Sequence, residues 1–514
     1  MPRKYRVLLA IVVAVAVFAW QRLPRHDRPA ASAVAAAPAD AGKAAPTPLP
    51  TRRYGTLVFR PCALSSSSGP SLDAQCSRLQ VAEDPARPQG RRIDLRIAWL
   101  PPTDNGKAAP DPVFFIAGGP GQSALQSYPD LDPAFVQARK QRDVILVDQR
   151  GTGGSNLLDC PQVADDDSDD LAAIAKVVED CRQRLERKAD LRFYTTVEAV
   201  RDLDAVRAAL GAQRIDLVGV SYGTRVAQQY AMRHPDHTRS LVLDSVVPNT
   251  LVLGNIFARN LDEALALQFG QCAKDAVCRE KLGDPRKELD TLLDTLRRDP
   301  PLVDYRDATT GEFAQTRLRA AQVAGLVRMY AYLPTVATLL PVLVHEANQG
   351  RYAALTALIQ SLSAQMQDAM AMGMQLSVSC SEDGDRIAAA ASDAGTVLGR
   401  SFTEAMATQC KAWPKGEIPA DFHRPQATSV PALVLEGEFD PVTPPRYGQE
   451  VARSLPNARL LVLRGQGHNV IGTGCMPRLL GQFLDRTDAK ALDATCLDSL
   501  AYAQPFTGYN GWNP

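Results

Sequence analysis

An apolar stretch, Asp216-Leu217-Val218-Gly219-Val220, runs straight into Ser221-Tyr222-Gly223-Thr224 and then into Arg225-Val226-Ala227-Gln228-Gln229-Tyr230-Ala231, which has a helical pattern. Strand, Gly-x-Ser-x-Gly turn and helix together make a nucleophile elbow. The two glycines let the backbone turn sharply, so the serine hydroxyl stands exposed at the carboxyl edge of a sheet. An ordinary glycine-flanked turn is the plainer reading of the five residues. It does not account for the strand before them or the helix after them.

A nucleophilic serine needs a base, an acid that orients the base, and donors for the oxyanion. Val430-Pro431-Ala432-Leu433-Val434-Leu435-Glu436-Gly437 reads as a strand, and the loop after it offers Asp440 as the acid. The next strand, Arg459 to Leu463, leads into Arg464-Gly465-Gln466-Gly467-His468-Asn469, a glycine-rich loop that returns an imidazole to the sheet edge. His468 is the predicted base. The other histidines, His26, His234, His237, His345 and His423, follow no strand. Asp244 competes for the acid's role, because it ends the strand Ser240 to Asp244 at the same edge. Asp440 is preferred because its loop immediately precedes the histidine strand, which suits the order serine, acid, histidine of α/β-hydrolases.

Oxyanion donors come from two backbone N–H groups, one on the residue after the nucleophile and one on the loop after an early strand. Tyr222 supplies the first. Pro112-Val113-Phe114-Phe115-Ile116-Ala117-Gly118-Gly119-Pro120-Gly121 ends a strand in a glycine-rich loop and supplies the second from Gly119, with Gly118 nearby. A phosphate-binding loop is a poor alternative there, since no Gly-Lys-Ser/Thr follows. The same holds for Gly151-Thr152-Gly153-Gly154-Ser155 after the strand Val144 to Asp148.

The set Gly118-Gly119-Pro120-Gly121, Asp148-Gln149-Arg150-Gly151-Thr152-Gly153, Gly219-Val220-Ser221-Tyr222-Gly223, Asp440 and Gly467-His468, in that order, resembles the prolyl iminopeptidase and tripeptidyl aminopeptidase family of α/β-hydrolases. The resemblance spans about residues 54 to 500. It implies an α/β-hydrolase fold, a mostly parallel central sheet flanked by helices with a large inserted helical cap domain. It also implies a serine exopeptidase acting on short peptides with a free N-terminus and needing no cofactor or metal. The family's triad falls on Ser221, Asp440 and His468, and its oxyanion donors on Gly119 and Tyr222. Ala117 stands where iminopeptidases typically have histidine, which leans toward the tripeptidyl branch.

A free ammonium calls for a carboxylate partner, and Ser379-Cys380-Ser381-Glu382-Asp383-Gly384-Asp385 offers three. The plainer reading is a solvated acidic turn capping a helix that starts near Arg386. Since this family carries a Cys-x-Glu-Asp segment in its cap, the resemblance makes Glu382 and Asp383 the predicted amine clamp. A carboxylesterase with the same triad is the alternative function. A non-catalytic binding protein on the same fold would be expected to have lost part of the triad.

Residues 1–20 read as a signal peptide or signal anchor, basic at Arg3, Lys4 and Arg6 and then uncharged from Val7 to Trp20. Residues 21–50 contain an Ala/Pro-rich linker that cannot build a core. The hydrolase core is expected over 51–250 and 429–514, with the helical cap over 251–428. Within the cap, Ile256 to Cys272, Arg317 to Met329 and Tyr352 to Met366 have helical spacing. Met366, Met370 and Met374 recur at helix spacing, as core filler or as an adaptable wall for varied peptides. The expected location is the periplasm or outside the cell, and a retained N-terminal segment would tether the protein to the membrane. Ten cysteines fit export. Proximity along the chain, which does not fix connectivity, pairs Cys160 with Cys181, Cys272 with Cys278, Cys380 with Cys410 and Cys475 with Cys496, leaving Cys62 with Cys76. Lys plus Arg and Asp plus Glu both number 57, so no basic field invites nucleic acid.

Overall fold

The structure, a computed structural model, describes residues 50–514 apart from 67–70, 105, 107, 161–169, 308–309, 368–369 and 513–514. The export segment and, Pro50 aside, the linker lie outside the described residues. The strands are β1 (Arg52–Tyr54), β2 (Leu57–Leu64), β3 (Leu72–Ala82), β4 (Arg92–Leu100), β5 (Val113–Ile116), β6 (Val144–Val147), β7 (Ile215–Val220), β8 (Thr238–Asp244), β9 (Leu302–Arg306), β10 (Phe313–Arg317), β11 (Ala432–Gly437) and β12 (Ala458–Leu463). A 10-stranded sheet has the order β1-β2-β3-β4-β6-β5-β7-β8-β11-β12 among the described residues. Its first four strands and the β4–β6 junction are antiparallel, and every pairing from β6 to β12 is parallel.

The parallel strands read as unbroken apolar runs because both faces of the sheet are covered. Successive side chains point to opposite faces. Ile145, Leu217 and Leu241 pack on one side with Leu203, Val206 and Leu210 of α3 (Thr196–Leu210) and with Tyr222, Val226 and Tyr230 of α4 (Tyr222–Arg233). Their neighbours Leu146, Val218 and Val242 pack on the other side, with Tyr128 and Phe135 of α1 (Ala124–Phe135) and Leu479, Leu480 and Phe483 of α15 (Met476–Arg486). Helix α2 (Leu171–Glu186) lies between β6 and α3 in the chain, and α14 (Pro445–Ser454) between β11 and β12.

Between β8 and β11 the chain forms α5 (Phe257–Lys274), α6 (Ala276–Leu282), α7 (Pro285–Arg298), α8 (Ala320–Ala331), α9 (Pro334–Ala337), α10 (Leu340–Asn348), α11 (Ala353–Gln367), α12 (Met372–Glu382) and α13 (Ser401–Ala412). Local signals are clear in α7: Asp284 caps its N-terminus through the N–H groups of Arg286 and Lys287, and Pro285 occupies the first turn. Its buried Leu289, Leu292, Leu293 and Leu296 form one stripe, which joins Leu261 and Leu265 of α5 and Val323 and Val327 of α8 in a separate apolar core. The same stretch, expected as a helical cap, also holds the hairpin β9–β10. The five disulfides join the pairs expected from chain proximity.

Candidate active site

Ser221 sits between β7 and α4 with φ 55° and ψ −125°, a strained conformation for a residue with a side chain. Two close backbone approaches impose it. A β carbon at Gly219 would lie 2.4 Å from Gly223 O, and one at Gly223 would lie 2.3 Å from Ile116 O. Only glycine fits at either position, so the elbow motif is a packing requirement of the β5–β7 edge.

Asp440 and His468 meet at the same edge. The Asp440 carboxylate contacts His468 Nδ1 at 2.7 Å and accepts from the N–H groups of Val442 and Thr443, each at 2.8 Å, and from Thr443 Oγ1 at 2.9 Å. Burial would raise this carboxyl, but His468 and the surrounding donors hold it below its ordinary value. Thr443 also lies 3.4 Å from His468 Nδ1, so it touches both members of the pair. Its sequence signal was a hydroxyl three residues after the acid.

Asp244, which competed with Asp440 as the candidate acid, makes different contacts. Its backbone carbonyl accepts the Ser221 N–H at 2.8 Å, while its carboxylate accepts the N–H groups of Val470 and Ile471 at 3.0 Å. Ser245 Oγ adds a bond to Asn469 N at 2.8 Å. The end of β8 thus holds the elbow with its backbone and the histidine loop with its side chains. Among the described residues Ser221 Oγ has no hydrogen-bond partner.

The glycine loop lies against the serine. A β carbon at Gly118 would be 3.1 Å from Ser221 Cβ, and Gly119 has φ +105°. The N–H groups of Gly119 and Tyr222 donate to no acceptor among the described residues, which leaves both for a ligand oxygen. Asp148 explains why the Asp-Gln-Arg-Gly-Thr-Gly segment accompanies this loop. Its buried carboxylate accepts from Ser123 Oγ (2.5 Å), Leu125 N (3.1 Å) and Gly154 N (2.9 Å), tying the loop's end to the turn after β6. Arg150, equally buried, holds Asp202 and the carbonyls of Glu83 and Phe193.

The methionines divide. Met374 is fully buried against Gly151, as core filler, whereas Met370 Sδ lies 3.1 Å from where a Gly119 β carbon would be. The Met366 side chain lies outside the described residues.

Glu382 and Asp383 are not a solvated turn, and no helix starts near Arg386. Their side chains are fully enclosed at the end of α12 and face Arg225 of the nucleophile helix, at 3.5 and 3.1 Å. Glu382 also accepts the Thr196 N–H at 2.9 Å, and Asp383 that of Leu253 at 3.0 Å. Thr196 Oγ1 in turn meets Tyr222 Oη at 2.6 Å. Burial pushes the Glu382 carboxyl up to about 7 against the pull of Arg225 and Thr196. Arg225 gave no sequence signal, because its partners lie in a distant part of the chain.

The profile of the α/β-hydrolase fold family matches residues 111–302, and that of the TAP-like proteins matches residues 395–496. The serine protease Hip1 of Mycobacterium tuberculosis is 26% identical over 83% of this chain and 88% of its own length. Tripeptidyl aminopeptidase of Streptomyces lividans is 31% identical over 42% of this chain and 44% of its own. The crystal structure of proline iminopeptidase from Mycobacterium smegmatis aligns over 81% of this chain and 100% of its own, with 18% identity and a TM-score of 0.42.

Proposed function

The chain is an α/β-hydrolase homologous to serine protease Hip1, tripeptidyl aminopeptidase and proline iminopeptidase, and on that premise we propose that it is an exported serine aminopeptidase cutting near free peptide N-termini. The observation that carries the catalytic part is the enclosed Asp440–His468 pair at 2.7 Å, fixed by β8 to the same edge as a strained Ser221. In the proposed cycle, His468 takes the Ser221 proton as Oγ attacks the scissile carbonyl. Asp440 holds the imidazole and stabilises its charged form. The N–H groups of Gly119 and Tyr222 receive the oxyanion. His468 then gives the proton to the departing nitrogen, and water resolves the acyl-enzyme by the same steps.

The direct amine clamp is revised. Glu382 and Asp383 have no exposed carboxylate surface and already face Arg225, so a substrate ammonium reaches them only by displacing that guanidinium. We assign them a positioning role, through Arg225 on the nucleophile helix and through Thr196 to the Tyr222 ring. Export is supported by five disulfides and by the sequence of residues 1–20.

The test is the ratio of hydrolysis rates for one short peptide anilide with its amine free and acetylated, with Ser221→Ala as control. A large preference for the free amine, abolished with all turnover in Ser221→Ala, is expected. Activity on esters alone would make the protein a carboxylesterase, and comparable rates on the two anilides would remove the demand for a free amine and with it the aminopeptidase reading.

A further inference from the structure

The corner between α8 and α9, Tyr332 to Thr335, lies on the loop that carries His468. Tyr332 O accepts the His468 N–H at 2.9 Å, and the two rings meet edge to face at 5.0 Å. A β carbon at Gly467 would fall 2.1 Å from Tyr332 O, so the loop's glycine permits this approach. Beside the contact remains a cavity of about 180 Å³, bounded by Leu333 and Pro334 on one side, by His468, Asn469 and Val470 on another, and by Ala501 of the C-terminal segment. It adjoins the histidine, and Ser221 does not line it.

Two side chains at this cavity are open to a ligand. Leu333 is 55% exposed, a large apolar side chain left without cover. Asn469 has φ 67°, in the left-handed region where glycine is easier. Its N–H is held by Ser245 Oγ, and its side-chain amide is exposed, open to a ligand as it is to water. An apolar wall and an exposed amide, both beside the base, are the elements of a peptide subsite.

Chemistry says which part of the substrate belongs there. When the tetrahedral intermediate collapses, the C–N bond breaks and His468 must hand its proton to the leaving nitrogen, so the departing residue lies within reach of the imidazole. The acyl portion stays on Ser221 beneath the glycine loop. We propose that the cavity between Tyr332–Thr335 and the histidine loop is the leaving-side subsite, taking an apolar side chain of the first residue after the cut while the Asn469 amide pairs with that residue's backbone. This rests on the acyl-transfer reading above.

Acyl-enzyme partition tests it separately from acylation. An added amino acid amide attacks the acyl-enzyme in the reverse of leaving-group departure. A new C–N bond forms, the C–Oγ bond breaks, and the amine proton passes through His468 to Ser221 Oγ. With the full chain and one peptide ester as acyl donor, the ratio of aminolysis to hydrolysis product is measured with leucinamide and with glycinamide. The wild type is expected to capture leucinamide about tenfold better than glycinamide, the order given by burying most of an isobutyl group. Leu333→Asp should bring the two amides to near parity. Asn469→Gly, which suits the backbone conformation, should lower capture of both while keeping their ratio. Equal capture of the two amides by the wild type, or a preference unmoved by Leu333→Asp, overturns the subsite while leaving acyl transfer standing. Absence of any acyl transfer overturns both.

Discussion

Glu382→Gln separates a carboxylate that matters as an anion from one that matters by its shape. The amide oxygen can still accept the Thr196 N–H and Asp383 still faces Arg225, while the amide NH2 takes the place of the oxygen that faces the guanidinium, as the O–H of the protonated acid would. Burial raises the Glu382 carboxyl from 4.5 to about 7, against the attraction of Arg225. A folded-state value above the unfolded one means that the folded protein binds the proton more tightly. The stability Glu382 contributes is therefore full below pH 4.5 and is lost as pH rises through about 7. At roughly 1.4 kcal/mol per tenfold change in proton affinity, the loss amounts to about 3 kcal/mol. Glutamine mimics the protonated acid and does not titrate. Relative to wild type, Glu382→Gln should thus gain up to about 3 kcal/mol between pH 4.5 and pH 8. Urea denaturation of both proteins at four pH values across that range, with disulfides intact, reads the difference. A variant that instead loses stability against wild type as pH rises would refute the argument and show that the anion is a net stabiliser of Arg225. The same proteins assayed on free and acetylated anilides test the positioning role. Both rates should move together, and a collapse of their ratio would restore the direct amine clamp.

Asp440→Asn should lower kcat on the order of 10⁴-fold with the fold intact, because the amide cannot hold the His468 tautomer or stabilise its charge; steady-state kinetics and circular dichroism check the two halves. Asp244→Asn should cost at least about tenfold in kcat with little change in KM, since it weakens two charge-assisted bonds to the histidine loop without touching substrate. An unchanged kcat would mean that Ser245 and Tyr332 hold the loop unaided. Replacing both Cys380 and Cys410 by serine opens a loop with a sequence separation of 30 and should cost about 3 to 4 kcal/mol of unfolding free energy, measured by urea denaturation without reductant.

What the sequence discloses here is chemistry carried by local motifs. The elbow, the glycine loop and the strand-then-loop settings of Asp440 and His468 each fit within about ten residues, and buried parallel strands announce themselves as apolar runs. The hairpin β9–β10 was hidden because its strands are only five residues each, β9 burying Val303 and Tyr305 and β10 burying none, and because they join within a stretch dominated by helices. Alignment of the site is hidden for a different reason. Arg225 meets Glu382 across 157 positions, and Asp244 meets Val470 across 226, so neither partner carries a signal near the other. Asp244 shows the consequence most clearly. A search for the acid that touches histidine must reject it, yet its position at the end of β8 is what makes it useful: from there its backbone reaches the serine and its carboxylate reaches the loop after the histidine. Two acids at one sheet edge need not be rivals. In the proposed mechanism one orients the base, and the other keeps base and nucleophile in register.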